Sequence, residues 1–123
     1  MIHLDSNFLI DAFVPGTAQE TQFRQWIATA AALNLSAVAW GEFLCGPLTP
    51  AAENLARTLF PVPESFGASD AELAATLFNV GGRRTRSFAD CCIAAVAIRC
   101  GAGLATSNRG DFAPFAAQGL IFA

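Results

Sequence analysis

Residues 87–112, SFADCCIAAVAIRCGAGLATSNRGDF, predict a helix followed by a short buried strand, with a carboxylate near each end of the unit. Ser87 is a suitable N-cap, and Asp90 three positions later completes a capping-box pattern. The helix should end at Gly101, because glycine readily adopts the left-handed conformation that closes many helices. Asp111 lies just beyond the predicted strand. The unit therefore separates two acidic side chains by one helix and one strand.

The rest of the chain repeats this alternation of helices with short apolar strands. Strands are predicted at residues 2–4, 35–38, 60–63, 103–106 and 120–122. Further helix starts are predicted at the capping-box pairs Thr17 with Glu20 and Ser69 with Glu72, and at Pro50. The first of these helices should continue to Leu33, a polar turn is predicted at residues 5–7, and a short helix or turn at 112–119. This order predicts a single α/β domain over residues 1–123, with a parallel sheet covered on both faces.

The composition is unusually apolar and poor in charge. Apolar residues make up 54% of the chain before glycine is counted, against about 45–50% with glycine included in typical proteins. A single small core cannot bury all of these side chains, so we expect a partner or a second copy to cover part of the surface. The net charge is −3 and the basic residues are all arginine. This balance disfavours broad electrostatic binding of nucleic acid without excluding a local site.

Neither a membrane segment nor a zinc site is predicted. The longest uncharged run is too short and too polar to span a bilayer, and the N-terminus lacks the basic region of a signal peptide. We therefore expect a soluble cytoplasmic protein. The cysteines show no CxxC spacing, and one histidine leaves a zinc site with too few ligands. We expect reduced thiols at Cys45, Cys91, Cys92 and Cys100.

The ten acidic residues divide into those with an ordinary structural explanation and those without one. Helix capping or solvent exposure accounts for Glu20, Glu53, Glu64, Asp70 and Glu72, and Asp11 is assigned to a solvated helix face. The acids that remain are Asp5, Glu42, Asp90 and Asp111. In a parallel sheet, the strand ends that lead into helices share one edge, where ligands bind. Because grouped carboxylates repel one another, a chain without lysine needs arginine or a bound cation to neutralise them.

Each remaining acid also has a structural interpretation. Asp5 could serve as a helix cap, Asp90 as a capping-box residue, and Asp111 as an ordinary polar loop residue. Glu42 is harder to explain in this way, because its apolar flanking sequence would make an unpaired carboxylate costly. A non-catalytic domain that binds a partner, with acids that only cap helices, is therefore one alternative.

Four segments occur in order over nearly the whole chain: IHLDSNFLID, AVAWGEFLCG, SFADCCIAAVAI and LATSNRGDF. Together they resemble the four motifs of the PIN-domain ribonucleases, and the chain length is similar to that of the VapC-type toxins of toxin–antitoxin pairs. The resemblance implies a three-layer α/β/α sandwich with a central, mostly parallel sheet of four to five strands. It also implies an acidic pocket for Mg²⁺ or Mn²⁺, cleavage of RNA, a homodimer and inhibition by a cognate antitoxin.

The resemblance also implies roles for individual residues. Catalytic and metal-binding roles fall on Asp5, Glu42, Asp90 and Asp111, and supporting polar roles fall on Ser6, Thr106 and Asn108. The chemistry fits, because hard oxygen ligands favour Mg²⁺ or Mn²⁺ over zinc. His3 is the single histidine, so a mechanism with two histidines is excluded. We therefore predict in-line attack by water with metal assistance, leaving a 5′-phosphate.

Other enzymatic readings are weaker. A phosphatase or phosphotransfer enzyme with Asp5 as its nucleophile would also place an aspartate after a strand, but such sites generally need a lysine to hold the phosphoryl group. Dinucleotide binding is disfavoured because no GxGxxG follows a strand.

Arginine is clustered at one place, immediately before the helix that carries Asp90. The cluster consists of Arg83, Arg84 and Arg86. At the rim of an acidic pocket, these side chains would bind the phosphates that flank the scissile group. We therefore predict that they contact RNA, with a solvated loop as the alternative.

Overall fold

A computed structural model describes residues 1–84 and 87–123. These residues form strands β1 (Ile2–Leu4), β2 (Leu33–Asn34), β3 (Gly103–Ala105) and β4 (Ile121–Phe122). They also form helices α1 (Ser6–Ala12), α2 (Ala18–Ala28), α3 (Ala37–Cys45), α4 (Pro50–Leu59), α5 (Ala68–Val80), α6 (Phe88–Cys100) and α7 (Arg109–Phe112). A 3-10 helix follows at Ala113–Gln118.

The strands form one parallel sheet in the order β2-β1-β3-β4. Ile2 lies opposite Leu33 on one side and Gly103 on the other, and Gly103 lies opposite Ile121. This arrangement confirms the predicted α/β class and its parallel sheet. The predicted strand at residues 60–63 is wrong, because its prolines cannot donate ladder hydrogen bonds. A single parallel bridge, between Ser36 and Glu64, forms there instead.

The strand order places a topological switch point between β1 and β3. The chain moves from β1 outward to β2, then returns across β1 to β3 and continues to β4. The connection from β1 to β2 contains α1 and α2, and the connection from β2 back to β3 contains α3 to α6. The carboxyl ends of β1 and β3 therefore lie side by side where the direction reverses, which is where α/β sheets bind ligands. The two ends are joined directly, since the Asp5 N–H donates to the Ala105 carbonyl at 2.9 Å.

Helix α6 is the most buried element of the domain. Its seven consecutive residues 91–97 are buried on every side. Five of them are small (Cys91, Cys92, Ala94, Ala95 and Ala97), which lets α6 pack closely against its neighbours. The buried cysteines are free thiols, as expected. As predicted, α6 ends at Gly101, whose φ of 64° is left-handed.

The helix and strand boundaries correct two predictions on either side of β2. The predicted helix to Leu33 ends at Ala28, because Ala30 adopts a left-handed φ of 56° and turns the chain toward the sheet. The strand is then β2, not residues 35–38. Ser36 accepts a hydrogen bond from the Ala39 N–H at 3.1 Å and so begins α3 instead of continuing the strand.

The helix starts also differ in detail from the predicted capping boxes. Thr17 caps α2 as predicted, but Glu20 accepts from the Gly16 N–H. The box at Ser69 is wrong, because the Asp70 carboxylate accepts from the Gly67 N–H at 2.9 Å and α5 begins two residues earlier than predicted. Two further starts are earlier than predicted, since α1 begins within the predicted polar turn and α7 before residue 112.

His3 is the middle residue of β1, and its side chain is buried. Both of its ring nitrogens lack a hydrogen-bond partner among the described residues, and burial lowers the pKa of His3. The side chain is therefore a neutral core residue. Within residues 1–84 and 87–123, none of the helices has the length and apolar character needed to cross a membrane.

Candidate active site

Asp5 lies at the carboxyl end of β1 and is almost completely buried, with 1% of its surface exposed. Its Oδ2 atom accepts a hydrogen bond from the Thr106 hydroxyl at 2.8 Å, from the end of β3. Burial raises the pKa of Asp5, the hydrogen bonds of Thr106 and Ser6 oppose this rise, and the charge of Glu42 adds to it. Asp5 occupies the cap position of α1, but its side chain makes no capping hydrogen bond in the described structure. Its geometry does not support the cap interpretation.

Ser6 connects Asp5 to Glu42. Its hydroxyl lies 3.0 Å from Glu42 Oε1 and 3.4 Å from Asp5 Oδ1. A serine carries one hydroxyl proton, so it can donate to only one of these carboxylates at a time. Glu42 is exposed, which corrects the expectation of an apolar setting. The reason is that α3 buries Ala39 and Phe43 and leaves Glu42 at its rim.

Asp90 is half-buried in the first turn of α6, and the predicted capping box with Ser87 does not form. Ser87 adopts helical backbone angles, and its hydroxyl donates to the Arg84 carbonyl at 2.7 Å. Burial, followed by the charges of Asp5, Glu42 and Asp111, raises the pKa of Asp90 to about 6. The four predicted acids therefore form one acidic cluster, with Asp90 exposed to the charge of the other three.

Asp111 and Arg84 complete the rim beside Asp90. A shallow pocket of about 150 Å³ is lined by Arg84, Ser87, Asp90 and Asp111. Asp111 is exposed and lies on the short helix α7, which corrects the interpretation of it as a loop residue. The charge of Arg84 opposes the rise in the pKa of Asp90. Arg84 therefore lies at the rim of the acidic pocket, where the sequence places the arginine cluster.

The other two arginines of that cluster differ from Arg84. The Arg83 guanidinium donates to Asn79 Oδ1 at 3.0 Å, which holds it against the end of α5. Arg86 lies outside the described residues. Of the three arginines, Arg84 therefore lies at the rim of the acidic cluster, whereas Arg83 contacts the end of α5.

Thr106 is held in place by the loop that follows it. The Asn108 N–H donates to the Thr106 hydroxyl oxygen at 3.0 Å, while that hydroxyl donates to Asp5. Asn108 therefore supports the site through its backbone. Its side chain makes no capping bond to α7 within the described residues.

Asp11 belongs to the surroundings of this site, which the sequence did not indicate. The sequence predicts Asp11 on a solvated helix face. In the structure, Asp11 is half-buried and accepts a hydrogen bond from the Ser107 hydroxyl at 2.7 Å. Gln19 Nε2 also donates to the Ser107 oxygen, at 3.3 Å. These contacts tie the loop after β3 to α1 and α2. The partners are about 90 residues apart in sequence, so no local spacing could have predicted them.

The donor set of the acidic cluster suits a hard divalent cation. All of its donors are oxygen atoms, and the charges of Asp5, Glu42 and Asp111 add to burial in raising the pKa of Asp90. Within the described ranges, no three His, Cys, Asp or Glu side chains converge closely enough to enclose a metal ion. Mg²⁺ is commonly held by one or two carboxylates, water and substrate phosphate, without a closed protein cage. The cluster therefore fits Mg²⁺ or Mn²⁺ as an open site.

The fold and this cluster define a class: a doubly wound α/β domain with carboxylates gathered at its switch point. The chain matches the PIN domain family over residues 2–117. The protein therefore belongs to the PIN domain family, whose members are generally nucleases.

A solved structure supports the same fold. The crystal structure of FitAcB from Neisseria gonorrhoeae is similar, with a TM-score of 0.73 and 23% sequence identity. The match covers 100% of this chain and 97% of that chain. At this identity the likeness establishes the fold. No curated protein sequence matches the chain significantly.

Proposed function

We propose that this protein is an endoribonuclease dependent on Mg²⁺ or Mn²⁺, and the toxin component of a toxin–antitoxin pair. The observation that carries the proposal is the grouping of carboxylates at the ends of β1 and β3. Ser6 lies within 3.4 Å of both Asp5 and Glu42, and Asp90 and Asp111 line one pocket. Burial and the charges of the other three acids raise the pKa of Asp90 to about 6. Structural carboxylates are normally paired, whereas a charge left uncompensated in a cleft is typical of a functional site. A divalent cation would neutralise this cluster and attract an RNA phosphate to it.

Each side chain of the cluster has a distinct task in this proposal. Asp5 and Asp90 would hold the ion, with Glu42 and Asp111 on its outer side. When bound, such an ion supplies an activated water and offsets charge on the phosphodiester. The hydrogen bond from Thr106 fixes one oxygen of Asp5. The Ser6 hydroxyl can redirect its hydrogen bond from Glu42 to Asp5 as their charges change.

The proposed reaction is hydrolysis by in-line attack. The water oxygen bonds to phosphorus, the bond to the 3′-oxygen breaks, and that oxygen leaves as a hydroxyl after gaining a proton. The products carry a 5′-phosphate and a 3′-hydroxyl. Arg84 lies at the rim, where a guanidinium can bind a flanking phosphate.

An apolar groove supports the proposed protein partners. It lies between α2 and α4, with a volume of about 680 Å³, and includes Phe13 and Phe23 in its lining. Ile27 and Leu55 line it too and are 43% and 50% exposed. We propose that an apolar antitoxin helix and a second copy of the chain cover such surface. Light scattering at micromolar concentration tests the dimer, and a monomer at all concentrations would contradict it.

The two alternatives predict different behaviour. A partner-binding domain would use Asp5 and Asp90 as helix caps, but neither side chain makes a capping hydrogen bond in the described structure. A phosphatase with Asp5 as nucleophile would need a cation to hold the phosphoryl group, and this chain has no lysine.

The direct test is cleavage of a labelled RNA of mixed sequence with Mn²⁺ or EDTA. We expect fragments with 5′-phosphates in Mn²⁺ and intact RNA in EDTA. Asp5→Asn and Asp90→Asn should each reduce the rate by roughly 10²–10⁴-fold. Glu72→Gln, which changes an exposed acid on α5, is the matched control and should cleave normally. Full activity in Asp90→Asn, or cleavage unaffected by EDTA, would contradict the proposal.

A further inference from the structure

A second pocket is lined by Thr106, whose hydroxyl donates to Asp5 of the acidic cluster. Its volume is about 410 Å³, and its lining includes Phe8, Gln19, Gln22, Trp26, Thr106 and Arg109. Thr106 donates to Asp5 at 2.8 Å, so this residue connects the pocket to the acidic cluster. The proposed hydrolysis does not require these other side chains. Their chemistry therefore needs a separate explanation.

One wall of the pocket is aromatic. Phe8 and Trp26 stack with ring centroids 5.6 Å apart and an interplanar angle of 29°. Phe8 is buried, whereas Trp26 is only half-buried. Phe8 thus supports the indole from behind and leaves part of it accessible. Proteins that bind single-stranded RNA commonly stack an unpaired base on such a ring.

The other walls supply neutral hydrogen-bonding groups and one positive charge. Gln19 and Gln22 are three residues apart on α2 and therefore share a face of the helix. Gln19 is already engaged with Ser107, while the amide of Gln22 offers both a donor and an acceptor to a base edge. Arg109 is positioned by its contact with the Phe122 ring at 5.0 Å and by its bond to the Ala123 carbonyl.

The charge of this pocket differs from that of its neighbour. No aspartate or glutamate is among its lining residues in the described structure, whereas the acidic cluster contains four carboxylates. A phosphate would meet fewer acidic side chains here, and the Arg109 guanidinium, which also donates to the Ala123 oxygen at 2.8 Å, attracts it. The combination of an aromatic wall, a guanidinium and the Gln22 amide, which has no partner within residues 1–84 and 87–123, matches a nucleotide better than it matches an apolar peptide or a lipid.

We propose that this pocket is a base-recognition subsite, which binds the nucleobase next to the scissile phosphate. The inference rests on the proposed ribonuclease function and adds to it a source of sequence preference. Trp26 provides the stacking surface, Gln22 reads the base edge, and Arg109 binds the phosphate of the same nucleotide. Shared contact with Thr106 aligns that nucleotide with the acidic cluster.

The first experiment detects binding without catalysis. The chain has two tryptophans, so Trp40→Phe leaves Trp26 as the sole indole fluorophore. We titrate this variant with AMP, GMP, CMP and UMP in EDTA. Saturable quenching that ranks the four nucleotides, and whose ranking changes on adding Gln22→Ala, supports the subsite. Equal, non-saturating quenching by all four would overturn it.

The second experiment measures base preference during cleavage of an RNA library in Mn²⁺. Gln22→Ala should flatten the preference at the position next to the cut, while Gln25→Ala, at an exposed site on the same helix, should leave it unchanged. Trp26→Leu should raise KM by about 10-fold with a smaller change in kcat. If Trp26→Leu does not fold, the base preference of Gln22→Ala still tests the proposed subsite.

The outcomes separate this inference from the function on which it rests. Wild-type protein that cleaves no RNA in any divalent metal would contradict the proposed function, while the nucleotide titration would still report on the pocket. Wild-type cleavage with a base preference identical in Gln22→Ala would overturn the subsite and leave the ribonuclease assignment intact.

Discussion

Asp70 and Asp90 are both withdrawn from solvent, yet their pKa values shift in opposite directions. Burial alone would raise the pKa of Asp70, but Arg99 donates to it at 2.7 Å and the Gly67 N–H at 2.9 Å. The net effect lowers its pKa. For Asp90, burial and three other carboxylates raise the pKa to about 6, although the charge of Arg84 acts to lower it.

The difference distinguishes a structural acid from a candidate functional one. Arg99 also bonds Glu64 at 3.0 Å and the Ser65 carbonyl at 2.8 Å, so it ties α6 to the segment before α5. The charge of Asp70 is thereby compensated by the protein itself. That of Asp90 is not, which is expected if an external cation and a phosphate complete the site.

The largest predicted effect is a difference in stability between two equivalent substitutions. Asp70→Asn removes a buried carboxylate that both Arg99 and the start of α5 require, and should lower the free energy of unfolding by about 2 kcal/mol. Asp90→Asn relieves repulsion and should raise it by about 1 kcal/mol in EDTA, after allowance for solvent screening. Urea denaturation of both variants measures the two values. A loss of stability in both would show that Asp90 is structural.

The second prediction concerns pH in metal-free protein. The pKa of Asp90 rises from 3.8 to about 6 on folding, so the folded state binds the proton more tightly. Well below pH 3.8 both states are protonated, and Asp90 then costs no stability. As pH increases from about 4 to 7, wild-type protein should lose about 1 kcal/mol of stability relative to Asp90→Asn. A stability difference that does not vary over this range would contradict the raised pKa.

The third prediction concerns the arginines near the cluster. Replacing Arg83, Arg84 and Arg86 with Gln should raise KM more than it lowers kcat and flatten the salt dependence of RNA binding. Because Arg84 lines the rim and Arg83 bonds Asn79, Arg84→Gln alone should raise KM by about threefold and Arg83→Gln should not.

Steady-state kinetics at several salt concentrations provide the measurement for these arginines. Arg57→Gln, an exposed change on α4, serves as the matched control. An unchanged KM and salt slope in the triple variant would remove the cluster from the path of the RNA.

The smallest predicted effect concerns the loop after β3. Ser107→Ala removes the bonds to Asp11 and Gln19 and should lower kcat by about two- to threefold, because Thr106 is held less firmly against Asp5. Asp11→Asn should have a similar effect, and the double variant should be no worse than either single one. Additive losses would show that the two residues act separately.

Local signals predicted much of this molecule. The alternation of strands and helices, the end of α6 at Gly101, and the placement of Asp5 and Asp90 at one edge follow from short-range patterns and the geometry of parallel sheets. The capping box at Ser87 was wrong for a local reason, since the serine hydroxyl bonds backward to Arg84. In the described structure Asp90 therefore does not cap α6 and belongs to the acidic cluster.

Contacts between distant segments were not predictable in the same way. Asp11 meets Ser107, and Trp26 meets Phe8, only after the sheet has brought α1, α2 and the loop after β3 together. The position of β2 depended on competition between a strand and the cap at Ser36. Such choices are made by tertiary packing, which single-sequence patterns do not contain.

The measurement that tests the central claim most directly is calorimetric titration of the protein with Mn²⁺ in the absence of RNA. We predict one or two ions bound per wild-type chain, normal binding by Glu72→Gln, and at least about tenfold weaker binding by Asp90→Asn. Wild-type protein that binds no Mn²⁺, or Asp90→Asn that binds it as tightly as wild type, would contradict the assignment of the acidic cluster as a metal site.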